Sequence, residues 1–169
     1  MISLQQNLKK VFNKKVLLIK SLINGLDFDL NKLTEILNTE EYLHVIKCNQ
    51  EDFNSNKALD YVFQIRWVHR CIYLKSLYDY IKQETKTMFK DGAFDLFVSF
   101  KGARGQTHKD SEHVLIVGLY NTTEYYFPSL KKTYYLEKGD VLYIPCGLVH
   151  TANSNEARAV ASISLYPYA

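Results

Sequence analysis

The hydrophobic periodicity of the chain changes character once. Leu4, Leu8, Val11 and Phe12 recur at the spacing of one helix face, and KVLLIKSL, from Lys15, then reads as a short apolar strand followed by an Asn24-Gly25 turn. In DLNKLTEILN, Asp29 is placed to cap a helix whose stripe is Leu30, Leu33, Ile36 and Leu37. YLHVIKC returns to strand character, and EDFNSN reads as a loop. From Ile72 to Phe89 the pattern predicts another helix, stopped by Asp91-Gly92. Beyond Gly92 the runs AFDLFVSF, EHVLIVGLY, TEYYF, KTYYLE, DVLYIP and RAVASISLY follow at close spacing, parted by turns such as Lys101-Gly102 and Lys138-Gly139. That rhythm predicts an antiparallel sandwich or small barrel.

Composition narrows the class. A chain of 169 residues fits one domain, with residues 1–92 as helical support carrying a few strands and residues 93–169 as the β-barrel core. The 47% hydrophobic and 23% charged fractions are those of an ordinary globular protein, and 13 Tyr and 9 Phe suit a β-containing fold. Tyr125, Tyr126, Phe127, Tyr134 and Tyr135 are read as core and sheet-face packing, not as a base-stacking platform. The net charge of +3 is small. Lys9, Lys10, Lys14, Lys15 and Lys20 nevertheless crowd the N-terminus with no acidic residue among them, which reads as a solvated helix face and only weakly as a mark of an anionic partner. Nucleic acid is not otherwise indicated. Cys48, Cys71 and Cys146 are scattered without a CxxC pair, fitting a reducing cytoplasm, and Cys146 reads as a small filler in a tight turn. No apolar run approaches the roughly 18 residues of a membrane span, so a membrane is not an expected partner. The amphipathic helices leave a homodimer open.

Two segments carry chemistry. In GARGQTHKD, His108 and Asp110 stand two apart and project from one face if the segment is extended. In GDVLYIPCGLVH, His150 follows a Gly-Asp turn, an apolar strand and a Pro-x-Gly turn. Two imidazoles and a carboxylate on one face of a six-coordinate ion leave three positions open, the arrangement of non-haem Fe(II) oxygenases; a closed four-ligand zinc site leaves none. Glu112 and His113 are weighed as extra ligands and set aside, His113 being read as the opening of the next strand. Arg104, His113 and Asn153 are placed in the substrate's vicinity, and His44 and His69 are read as structural.

GDVLYIPCGLVH resembles the second cupin motif, and GARGQTHKD the opening of the first, with His-x-Asp in place of His-x-His. The run DLFVSFKGARGQTHKDSEHVLIVGLYNTTEYYF is similar to the core of the JmjC hydroxylases. The resemblance implies a mainly β, cupin-type double-stranded β-helix with N-terminal helices packed outside it. It implies Fe(II), for which Ni, Zn or Co can substitute, held by His108, Asp110 and His150, with 2-oxoglutarate as cosubstrate of a hydroxylase acting on protein, RNA or a small molecule. The usual JmjC cosubstrate lysine has no counterpart in LYNTTEYYF, where Thr122 or Thr123 takes its place. Prolyl-hydroxylase-like members use an arginine on the strand after the distal histidine, and Arg158 fits that position. In RAVASISLY, Arg158, Val160, Ser162 and Ser164 share one face, so Arg158, Ser162, Ser164 and Thr122 form the implied cosubstrate site. Two other readings stay open: a cupin metalloenzyme that does not use 2-oxoglutarate, such as a small-molecule dioxygenase or isomerase, and a non-enzymatic cupin binding protein.

Overall fold

The computed structural model describes residues 3–39, 46–48, 62–100, 103 and 105–168. EDFNSN, His44, Lys101-Gly102 and Arg104 lie outside the described residues. Helix α1, Leu4–Val11, opens on a capping box: Ser3 Oγ accepts from the Gln6 amide and Gln6 Oε1 from the Ser3 amide, both at 3.2 Å. Its stripe of Leu4, Leu8 and Val11 is buried, while Lys9 and Lys10 are exposed in the last turn, where the helix dipole favours cations. After β1, Leu17–Ile19, helix α2, Leu30–Asn38, begins where Asp29 Oδ1 accepts from the Lys32 amide at 2.9 Å. Short strands β2, Ile46–Cys48, and β3, Val62–Ile65, precede helix α3, Lys75–Thr85, which buries Leu77, Ile81 and Thr85. The remaining strands are β4, Phe89–Ser99; β5, His113–Tyr120; β6, Thr123–Phe127; β7, Lys132–Leu136; β8, Val141–Ile144; β9, Thr151–Asn153; and β10, Arg158–Pro167.

The third helix differs from its sequence reading. It stops at Thr85, and Asp91-Gly92 lies inside β4, paired with β10. Gly92 serves a close approach rather than a helix end: a Cβ there would sit 2.2 Å from the Ser164 carbonyl oxygen, next to the register shift between Ile163 and Leu165.

Seven antiparallel strands form one sheet in the order β1-β8-β5-β10-β4-β3-β2, and three form a second in the order β7-β6-β9. The strands of the N-terminal half therefore extend both edges of the large sheet. Strand alternation gives that sheet two buried faces. In β5, Val114 and Ile116 meet Phe127, Leu136, Leu142 and Ile144 between the two sheets. Leu115, Val117 and Leu119 point the other way, into a core shared with Leu4, Leu8, Leu33, Leu77 and Ile81 of the helices. This double burial explains why HVLIVGLY reads as continuously apolar. The architecture is the expected double-stranded β-helix with helices packed on its outside. No helix among the described residues is long and apolar enough to cross a membrane.

Candidate metal centre

The segment before β5 lies alongside β9. The amides of His108 and His150 each donate to the other's carbonyl, at 3.0 and 2.8 Å, and the Gly105 amide donates to the Ala152 carbonyl at 2.8 Å. At the other end of the segment the Gly147 amide donates to the Asp110 carbonyl at 2.9 Å. The turn between β8 and β9 depends on Gly147, whose φ is +75°, a conformation that L side chains rarely adopt. These main-chain contacts deliver His150 opposite His108-Lys109-Asp110.

Among the described residues, His108, Asp110 and His150 form a metal-binding cluster with one donor atom of each within 4.8 Å of the others. His108 Nε2 lies 3.8 Å from Asp110 Oδ1, and His150 Nε2 lies 3.7 Å from Asp110 Oδ2. His108 Nδ1 is 2.8 Å from the Gln106 carbonyl and His150 Nδ1 is 3.0 Å from the Leu148 carbonyl. A carbonyl only accepts, so each Nδ1 carries the proton and each Nε2 lone pair is free for a ligand. Burial pushes the Asp110 carboxyl up, a shift countered by His150 and His108, while Glu112 adds to it. Burial also pulls the His150 imidazole down, against the pull of the Leu148 carbonyl. Neutral imidazoles and one carboxylate are the donor set that a divalent transition metal accepts.

The donors open into a cavity of about 270 Å³, also lined by Phe97, Val114, Ile116, Tyr125, Arg158 and Ser162. Arg158 is only 2% exposed, and its Nε has no hydrogen-bond partner. Its guanidinium faces the same cavity as the Tyr125 hydroxyl and interacts with it. Burial pulls the guanidinium below its ordinary range and pushes the Tyr125 phenol up to about 12, so the phenol stays neutral. Thr123 Oγ1 and Ser99 Oγ are likewise buried without partners. The cavity thus joins an ion site to a buried cation with no anionic partner among the described residues.

Several sequence-read residues fall elsewhere. Thr122 is half-buried at a different surface depression, beside Glu124 and Ser154, and alternation turns Thr123 inward instead. Ser162 lines the cavity, whereas the Ser164 hydroxyl donates to Glu112 Oε1 at 3.1 Å. Asn153 shares the outward face of β9 with its cross-strand partner Glu124, while Ala152 and its partner Tyr125 face the cavity. His113 opens β5 as read, yet it points away from the cavity to pack against Phe12, Phe89 and Tyr143, because Val114 beside it takes the inward face. Cys146 stands in the turn before Gly147 as read, exposed, with its Sγ donating to the Ser111 carbonyl at 3.1 Å. Tyr125 was read only as packing. The signal that places it in the cavity is the alternation of TEYYF, whose buried positions are Thr123, Tyr125 and Phe127, while Tyr126 and Tyr135 stand exposed.

Comparison with known proteins agrees with this picture. A family model described as the JmjC domain matches residues 119–168. The ribosomal oxygenase YcfD from Escherichia coli superposes on the whole of this chain with a TM-score of 0.72 at 14% identity, using 52% of its own length. Its complex with cobalt and 2-oxoglutarate gives a TM-score of 0.72 at 15% identity, and its complex with cobalt and succinic acid 0.74 at 14%, each again covering 100% of this chain and 52% of the other. The chain therefore spans about half the length of these solved structures. No curated protein matches it in sequence. The fold is shared with the YcfD structures, and the likeness to the JmjC domain model is confined to residues 119–168.

Proposed function

We propose that the chain is an Fe(II)- and 2-oxoglutarate-dependent oxygenase, of hydroxylase type. The observation that carries this reading is the presence, in one cavity, of an open His-Asp-His donor set and the buried guanidinium of Arg158, whose Nε has no partner among the described residues. His108 and His150 would hold the metal through Nε2 and Asp110 through its carboxylate; three protein donors leave positions for an oxoacid. Bound there, Fe(II) supplies oxygen activation, with 2-oxoglutarate oxidised to succinate and carbon dioxide as the accompanying reductant.

The remaining chemistry belongs to the chain's own side chains. A buried guanidinium with an unsatisfied Nε is costly, and a carboxylate entering the cavity offsets that cost with charge-assisted hydrogen bonds. Arg158 thus takes the role of the usual JmjC lysine by fixing the far carboxylate of the cosubstrate. Tyr125 supplies a neutral hydroxyl beside that carboxylate instead of a competing negative charge. Phe97, Val114 and Ile116 line the cavity with apolar surface and exclude water. At about 270 Å³ the space suits a small dicarboxylate, just below the usual range of about 300–1,000 Å³ for larger ligands. The same fold binds cobalt with 2-oxoglutarate in the bacterial ribosomal oxygenase, which supports the assignment and makes a ribosomal component the first acceptor to assay.

The test is succinate formation by purified protein supplied with Fe(II), 2-oxoglutarate and air. Turnover dependent on all three, and lost in His108→Ala, supports the reading. Metal uptake without any oxygen-dependent succinate would instead favour a metalloenzyme that does not use the oxoacid.

A further inference from the structure

The two segments that carry the metal donors run side by side without a continuous ladder. Main-chain pairing of β5 with β8 ends at Val114 and Ile144, and Pro145, next along the chain, has no N–H with which to continue it. Pairing resumes only at His108 and His150. Asp110 and the turn at Gly147 lie in the gap between. The contacts that cross this gap start from the turn: the Gly147 amide donates to the Asp110 carbonyl at 2.9 Å, Cys146 Sγ to the Ser111 carbonyl at 3.1 Å, and the Cys146 amide to His113 Nδ1 at 3.3 Å. The first two end on main-chain carbonyls of the facing loop. The third ends on a side chain anchored in the core.

We infer that His113 is a positioning residue for the metal centre, its imidazole clipping the turn that leads to His150 against the segment that carries Asp110. His113 is 6% exposed, with its ring centroid 4.8 Å from that of Phe12 and 6.2 Å from that of Phe89. A backbone amide only donates, so Nδ1 holds the lone pair and the Tyr143 hydroxyl, 2.8 Å away, must donate to it as well. The Tyr143 oxygen in turn accepts from the Asn13 amide at 3.1 Å, just beyond α1. The imidazole is therefore fixed by the helical layer on one side and offers its lone pair to the metal loop on the other. Cys146 and Gly147 are exposed, and an exposed turn with few buried contacts is among the first parts of a protein to open. An acceptor held in the core opposes that opening, and through Cys146 and Gly147 it fixes the main chain at Asp110. The role rests on the proposed metal-binding function of His108, Asp110 and His150.

The experiment compares the parent with His113→Leu, which fills the space without an acceptor, and His113→Asn, whose Oδ1 can accept where Nδ1 did. Amide exchange of the metal-free proteins, followed residue by residue by NMR, gives the first readout. In His113→Leu the Gly147 amide should exchange about tenfold faster than in the parent, beyond any change in the amides of the β4 and β10 ladder. A residue that only filled the core would speed both alike, through global stability. Calorimetry with Co(II) alone gives the second readout: affinity should fall about tenfold in His113→Leu, the visible absorption of the bound ion should change shape, and His113→Asn should restore both. Gly147 exchange that moves only with the ladder, or Co(II) bound alike by all three proteins, would overturn the positioning role and leave the metal site standing. A parent protein that takes up no Co(II) would overturn both.

Discussion

His108 and His150 each donate Nδ1–H to the carbonyl two residues earlier, Gln106 and Leu148, a pairing that fixes both tautomers before any ion arrives. Replacing Asp110 by Asn keeps the shape of this site and removes its charge. Co(II) affinity measured by calorimetry should then fall by more than about tenfold; unchanged affinity would show that the carboxylate is not a ligand. His113 gives a prediction away from the ion. The Tyr143 hydroxyl donates to its Nδ1 at 2.8 Å and the Cys146 amide at 3.3 Å, so the ring is held neutral, and burial lowers its pKa below the ordinary 6.5. Between the folded and unfolded values the unfolded chain binds the extra proton. His113 therefore contributes stability that is complete above about pH 6.5 and is lost as pH falls from there toward the folded value. In His113→Gln, the decline of unfolding free energy on acidification through that window should be smaller than in the parent, and parallel curves would refute the linkage.

The turn between β8 and β9 shows how an element sets the site. A Cβ at Gly147 meets nothing within 4 Å, so Gly147→Ala is a pure backbone test at φ +75°. It should cost about 1–2 kcal/mol in urea denaturation and weaken Co(II) binding as His150 shifts; a neutral outcome would mean the turn tolerates another conformation. Sequence periodicity reveals such elements unevenly. His-x-Asp and the glycine-bracketed strand ending at His150 are local patterns, legible because each delivers its side chains within a dozen residues. Gly92 was misread because its function is a contact with Ser164, more than seventy residues away. β3, VFQI, is too short to declare itself, and its identity comes from pairing with β4. Tyr125 was hidden among neighbouring aromatics until the register with Ala152 put it on the cavity face.

At the scale of the whole molecule, two packed layers hold the cavity rigidly: helices against one face of the seven-stranded sheet, and the three-stranded sheet against the other. An ion that binds only this folded arrangement must stabilise all of it. At a free concentration about one hundred times its Kd, Co(II) should add about 2.7 kcal/mol and raise Tm by about 5–10 °C. The shift should vanish in the double variant His108→Ala and Asp110→Ala. The double-stranded β-helix was legible from strand rhythm and the two motifs. The central claim, an ion site joined to an anion-seeking arginine, is tested most directly by anaerobic calorimetry of 2-oxoglutarate with Co(II)-loaded protein. The account predicts one molecule bound per chain, none without metal, affinity at least about tenfold lower in Arg158→Gln, and partial recovery in Arg158→Lys. Metal-loaded protein that ignores 2-oxoglutarate, or that binds it equally well without the arginine, would contradict it.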